Sequence, residues 1–255
     1  MNVKDEFKEE IQRLFSIDGV KGNDNWGSVR TPDQFTKETR QYEFGNRVCF
    51  EKKDQQAYAD LQASRGLSLD PAKSVEENLQ FVEKDGHVLP SNDITRFQEL
   101  TELIDLEGLD NFVELGFRSP RLLKHYSSIG KTCFGYDIAK INVLAAKCLG
   151  YNADIHDLSS DDSIDLKTNS LVVAYHVFEH LPNPLKTLKK IHNALCENSY
   201  FHIEIPIENV NEPVVRYAHC TSFFQDDLWK MLKDCGFKIV FNTNGNGIQR
   251  ILAKK

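Results

Sequence analysis

Two carboxylates and a run of histidines are the residues of this chain whose types and spacing could do chemistry. Glu114 lies in Phe112-Val-Glu-Leu-Gly116-Phe-Arg-Ser-Pro-Arg-Leu-Leu123 and Asp137 in Gly135-Tyr-Asp137-Ile, each at the end of an apolar run that reads as a buried strand. An acid ending one strand, a glycine turn after it and a second acid ending the next strand are how an open α/β sheet grips an adenosine-type ligand. Glycines normally alternate after the first acid. Here only Gly116 is present, and Arg118 and Pro120 occupy the next two such positions. A third acid, Asp154, follows in Tyr151-Asn-Ala-Asp154-Ile-His-Asp-Leu158.

The apolar run Ser170-Leu-Val-Val-Ala-Tyr175 then leads into His176-Val-Phe-Glu-His-Leu-Pro-Asn-Pro184, the densest cluster of titratable side chains. An imidazole titrates near neutrality and is the natural group to take a proton from a hydroxyl, so His176 is the first candidate base and His180 the second. The spacing His176-x-x-Glu179-His180 is also one used for zinc ligands on a long helix. Pro182 follows too soon for such a helix, so a divalent cation on these three residues is the lesser expectation and no metal the favoured one. Glu204 and Glu208 could accept hydroxyl protons too, although single carboxylates at such places are more often solvated.

The elements that must position these residues alternate between strand and helix. Strands are expected over 131–136, 170–175 and 200–205, and helices over 139–149 and 226–233. Strands over 238–242 and 248–253 flank Thr243-Asn-Gly-Asn-Gly247, a hairpin signal. This order implies an α/β fold with a doubly wound, mostly parallel seven-stranded sheet and a terminal antiparallel hairpin. A largely helical N-terminal extension over 1–91 precedes the ligand-binding domain at 92–255. Phe7, Ile11, Leu14 and Phe15 predict an amphipathic helix to about Ser16, which needs a surface to cover. Residues 19–46, with Trp26, Phe35, Tyr42 and Phe44 among Gly, Asn, Asp and Thr, read as an irregular loop or a lid. Helices follow over 55–64, 74–84 and 92–106, the last with Ile94, Phe97, Leu100 and Ile104 on one face.

With these motifs in their order, residues 111–255 resemble the class I S-adenosylmethionine-dependent methyltransferases. The acid-Leu-Gly loop and the Glu179-His-Leu-Pro-Asn-Pro184 segment point to small-molecule O-methyltransferases. The resemblance implies that Glu114 ends the first strand and that Gly116, followed by Phe117, lets backbone N–H groups approach the amino-acid part of S-adenosylmethionine. It implies that Asp137, followed by Ile138, accepts from both ribose hydroxyls, a task suited to two carboxylate oxygens, though Asp137 alone could equally cap a helix. Asp154 and Ile155 would read the adenine amino group and pack its ring, with Asp157 as an alternative acid, and Tyr175 would line the methionine side. Arg118 either pairs with a carboxylate of the cofactor or of an anionic substrate, or fills the pocket. His219 joins the candidate catalytic residues because relatives carry a histidine and an aromatic pair before the helix over the active-site mouth. The activity implied is O-methylation of a small polar metabolite such as a carbohydrate or nucleotide-linked sugar. The alternative is a non-catalytic protein of the same fold acting as a binding partner or scaffold; the missing glycines and the closing hairpin set aside a nicotinamide-dependent oxidoreductase.

Composition narrows the partners. A net charge of -7 and a pI near 5.6 argue against a nucleic-acid footprint, which needs clustered Lys and Arg. The start Met1-Asn-Val-Lys-Asp-Glu-Phe-Lys-Glu-Glu is charged throughout and reads as neither signal peptide nor membrane anchor. Six cysteines occur singly, without a Cys-x-x-Cys pair. The expectation is a cytoplasmic enzyme that meets a small-molecule acceptor, no nucleic acid and no membrane, with a homodimer possible.

Overall fold

A computed structural model describes residues 1–16, 37–42, 45–50, 69–70, 72–85, 91–207, 219 and 221–255. The elements are α1 (Val3–Ser16), β1 (Lys37–Tyr42), β2 (Gly45–Phe50), α2 (Val75–Asp85), α3 (Ser91–Leu103), β3 (Asn111–Leu115), α4 (Arg121–Ser128), β4 (Thr132–Asp137), α5 (Lys140–Cys148) and β5 (Ala153–Ile155). They continue with β6 (Ser170–Tyr175), a 3₁₀ turn (Phe178–His180), α6 (Pro184–Ala194), β7 (Tyr200–Pro206), α7 (Asp227–Asp234), β8 (Lys238–Gly245) and β9 (Ile248–Lys254). A seven-stranded sheet has the order β5-β4-β3-β6-β7-β9-β8, in which β9 runs antiparallel to both its neighbours. The described residues form two compact units, one with α1 and the elements from α2 to β5, the other with β1, β2 and the elements from β6 onward. Among the described residues no helix is long and apolar enough to cross a membrane.

In the first unit, Phe7 and Ile11 fall four residues apart on α1 and are buried together with Leu79 and Val82 of α2 against Ala139, Ile141, Leu144 and Ala145 at the start and on the body of α5. The surface that the amphipathic α1 needs is therefore α5; the side chains of Leu14 and Phe15 lie outside the described residues. A reciprocal pair opens α2: the N–H of Glu77 donates to Ser74 Oγ at 3.2 Å, and the N–H of Ser74 to Glu77 Oε2 at 2.8 Å. This is a capping box that satisfies backbone donors left over at a helix start. On α3 the expected apolar face is only partly right. Leu100 is buried, but Ile94 is exposed, and Asp93 and Arg96 are buried instead. Asp93 accepts from Arg96 on its own helix and from Arg121 at the start of α4 (Nε 2.8 Å, Nη2 2.7 Å), so an ionic contact replaces an apolar one.

In the second unit, Leu171, Val172, Val173 and Ala174 of β6 are almost wholly buried, as expected of a strand covered on both faces. The hairpin between β8 and β9 turns at Asn246 (φ 54°) and Gly247 (φ 75°), the two consecutive left-handed residues of a type I′ turn, and its register runs from Gly245↔Ile248 to Lys238↔Lys254. Part of the expected loop over 19–46 is regular: β1 and β2 pair antiparallel from Lys37↔Phe50 to Tyr42↔Gly45. Thr39, Tyr42, Val48 and Phe50 suit strands, but they are too few among charged neighbours to give a period-two apolar signal. The helix expected over 55–64, and Trp26, Phe35 and Phe44, lie outside the described residues.

Close packing beneath the loop after β3 fixes one glycine. A Cβ on Gly135 of β4 would stand 2.7 Å from a ring carbon of Phe117 and 2.9 Å from Leu123. Gly135→Ala is expected to destabilise the protein by about 1–3 kcal/mol, as overpacking does, read from its denaturant midpoint. An unchanged midpoint would show that Phe117 does not sit on Gly135.

Candidate active site

The carboxyl end of β4 carries the best-organised of the expected cofactor residues. Asp137 is 6% exposed. Its Oδ2 accepts the backbone N–H of Arg118 at 2.9 Å and its Oδ1 that of Ala139 at 2.8 Å. Burial pushes its carboxyl above the usual range, and hydrogen bonds from Ala139, Arg118 and the Asn142 side chain draw it part of the way back. The N-cap of α5 is Ala139, so Asp137 is not the helix cap that it could have been; it holds the N–H of the cap residue and that of the loop after β3.

The loop it holds keeps the path of a glycine loop without all the glycines. Gly116 (φ 69°) donates its N–H to the Tyr136 carbonyl at 2.7 Å, and two residues on Arg118 is also left-handed (φ 46°). A non-glycine residue there stores about 1–2 kcal/mol. The Arg118 side chain is exposed, so it does not fill the interior of this unit.

The remaining expected cofactor residues divide by burial. Glu114 is buried with Oε2 unpaired, and burial, reinforced by Asp93, drives its carboxyl well above the usual range despite Arg121 and Arg96. Phe117 is packed on Gly135 and Leu123 and is a core residue. Ile138 is half-buried. Asp154 and Ile155 on β5 are open to solvent, Ile155 at 54%, with Lys147 Nζ at 2.9 Å from Asp154.

The second unit gathers the titratable residues around β6 and β7. His176, just past β6, is left-handed (φ 55°) and donates its N–H to the Glu204 carbonyl at 3.0 Å. Its ring lies between two carboxylates that are each 1% exposed: Nε2 is 2.9 Å from Glu204 Oε1, and Nδ1 is 3.3 Å from Glu179 Oε1, an ion pair outside hydrogen-bond geometry. Glu179 first and Glu204 second raise the imidazole to about 9. An imidazole at that value is mostly protonated at neutral pH, which weakens His176 as the first choice of base, although its side chain is 43% exposed. Arg250 on β9, 3.6 Å from Glu204 Oε2, completes the charge balance.

His180 and His219 come together, their rings 5.1 Å apart and edge to face. Ligand atoms of Glu179, His180 and His219 all lie within 4.8 Å of one another. Burial raises the Glu179 carboxyl, but His176, His180 and His219 outweigh it and leave it below its ordinary value. The Tyr175 hydroxyl meets His202 Nδ1 at 2.7 Å. Glu204 is not solvated, and its partnership with His176 and Arg250 escaped sequence reasoning. The available signal was the pair His202 and Glu204, two polar residues on one face of an otherwise apolar strand. Glu208 lies outside the described residues.

The strand order, the single antiparallel strand β9 and an acid ending β4 define a Rossmann-like class I methyltransferase. A family profile described as a methyltransferase domain matches residues 93–241, more than half of the chain, and the protein belongs to that family of S-adenosylmethionine-dependent enzymes. No curated protein matches the chain in sequence. Among solved structures, a S-adenosylmethionine-dependent methyltransferase from Mesorhizobium loti is 12% identical, with 63% of this chain and 97% of that one covered at a TM-score of 0.51. The [4+2]-cyclase SpnF is 11% identical over 73% and 84% of the two chains, at 0.53. PigF with SAH is 12% identical over 80% and 69%, at 0.52. At such identities the likeness is one of fold.

Two substitutions test this geometry. Arg118→Gly should raise stability by about 1 kcal/mol by relieving the left-handed arginine, seen as a higher denaturant midpoint; a lower midpoint would mean that the side chain stabilises the loop. His176→Ala strips a partner from two buried carboxylates and should cost about 1–3 kcal/mol in the same assay. No change would show that Glu179 and Glu204 do not depend on His176.

Proposed function

We propose that the protein transfers the methyl group of S-adenosylmethionine to an oxygen of a small polar metabolite, a carbohydrate or nucleotide-linked sugar being the acceptor class favoured. The observation that carries the cofactor part is Asp137, a buried carboxylate at the end of β4 whose two oxygens are aimed by backbone donors from both flanking segments. Backbone N–H groups and Asn142 take three of about four acceptor positions, and the one that is left can accept a ribose hydroxyl. Gly116 would admit the amino-acid part, Arg118 its carboxylate, Ile138 the ribose edge, and the exposed Asp154 and Ile155 the adenine. Tyr175 is proposed to line the methionine side.

When bound, S-adenosylmethionine supplies a methyl group activated on a sulfonium, which leaves the electron pair of the broken C–S bond on sulfur. The chain's own task is alignment and removal of the acceptor's proton. His180 and His219, beside the ionised Glu179, are the residues proposed to bind and deprotonate the acceptor hydroxyl, while His176 holds Glu179 in place. The acidic chain supports a small acceptor over nucleic acid. Residues 1–91 are proposed to serve acceptor binding or a homodimer contact, apart from α1, whose apolar face is committed to α5.

Calorimetric titration with S-adenosylmethionine and with its demethylated product should give micromolar affinity for both, weakened at least about tenfold in Asp137→Asn, since charge-assisted hydrogen bonds are the strong ones. Folded wild-type protein that binds neither compound would overturn the reading. Screening acceptors for formation of the demethylated cofactor should give turnover with sugar nucleotides; turnover confined to phenols would overturn the acceptor class.

A further inference from the structure

The spacing His176-x-x-Glu179-His180 suggests three ligands on one turn, but the fold commits His176 elsewhere, with both ring nitrogens facing Glu179 and Glu204. Another histidine arrives from a distant part of the chain. Thr221, two residues beyond His219, donates its N–H to the Glu179 carbonyl at 3.0 Å and its hydroxyl to the Leu181 carbonyl at 2.7 Å. These two bonds fasten the segment carrying His219 to the turn carrying Glu179 and His180.

We propose that Glu179, His180 and His219 form a site for a divalent cation. Their ligand atoms lie within 4.8 Å of one another. With metal–ligand bonds of about 2.1 Å, the ligand atoms of a tetrahedral site stand about 3.4 Å apart, so closure asks for a shift of up to about 1.4 Å. Rotation of the His180 and His219 rings would have to supply it. An independent observation is the state of Glu179: the side chain is 1% exposed and neither carboxylate oxygen makes a hydrogen bond. A buried carboxylate left so poorly satisfied is costly, and a cation on the side shared with the two histidines would supply what it lacks. His176 stands behind Glu179, with Glu204 and Arg250 behind it, in the place of the outer partners that orient a ligating carboxylate. Two imidazoles and one carboxylate suit manganese, iron, cobalt or zinc in the divalent state, not calcium.

Three protein ligands leave coordination positions open. Resting on the methyl-transfer reading, the site selects acceptors whose oxygen can ligate the cation. With the cation bound, His180 and His219 hold it in place of acting as bases themselves; the cation would acidify the bound hydroxyl, whose proton then passes to water.

The test is calorimetric titration of tag-free protein, stripped with a chelator and dialysed, with zinc(II) alone. The expected result is one site of micromolar or tighter affinity, weakened at least about tenfold in His219→Ala and in Glu179→Gln and unchanged in the control His156→Ala. Absence of a stoichiometric site in folded wild-type protein would overturn the proposal, and so would affinity that survives His219→Ala. If Glu179→Gln fails to fold, the wild type and His219→Ala still decide. Methyl transfer that proceeds equally in excess chelator would refute the cation while leaving the methyltransferase reading intact. Failure to bind S-adenosylmethionine with zinc bound normally would do the reverse.

Discussion

The burial of one carboxylate, Asp137, constrains both the loop after β3 and the start of α5. A charged group out of water needs several donors to offset its desolvation. Two come from backbone on either side: Arg118 in the loop after β3 and Ala139 at the start of α5. The first contact accompanies left-handed backbone at Arg118, and the second starts α5 without a side-chain cap from Ala139. The same helix is the platform on which α1 and α2 bury their apolar faces. Loop shape, helix start and the docking of the N-terminal helix therefore meet at this side chain.

In the second unit the corresponding constraint is charge balance. Glu179 and Glu204 are almost fully buried carboxylates on different elements, and His176 is the cation between them, with Arg250 behind. The backbone turns left-handed at His176, just past β6, to place that ring. Its protonation helps to offset the burial of the two acids. With His176, His180 and His219 around it, the Glu179 carboxyl lies below its ordinary value despite its burial.

Much of this was legible in the sequence because it is local. The alternation of apolar runs and helical faces gave the parallel sheet, and Asn246-Gly247 gave the closing hairpin with its type I′ turn. Asp137 was recognisable from its place after a buried strand. What was hidden depends on tertiary context. Nothing within a few residues of His176 announces that Glu204 will face it, and spacing alone grouped His176 with His180 where the fold groups His180 with His219. Phe117 sits beside the glycine loop in sequence, yet Gly135 on the neighbouring strand leaves room for its ring, so it becomes core. Ile94 lost its place on the buried face of α3 because Asp93 and Arg96 could satisfy each other and Arg121 there.

The central claim is that Asp137 is the ribose-binding acid of a working cofactor site despite the arginine in its loop. A crystal structure of the protein with the demethylated cofactor tests it most directly. The account predicts a ribose hydroxyl within about 3 Å of the Asp137 carboxylate, with the N–H of Arg118 still on the same carboxylate. A ribose bound away from Asp137, or an Arg118 guanidinium lying where the ribose should be, would contradict it.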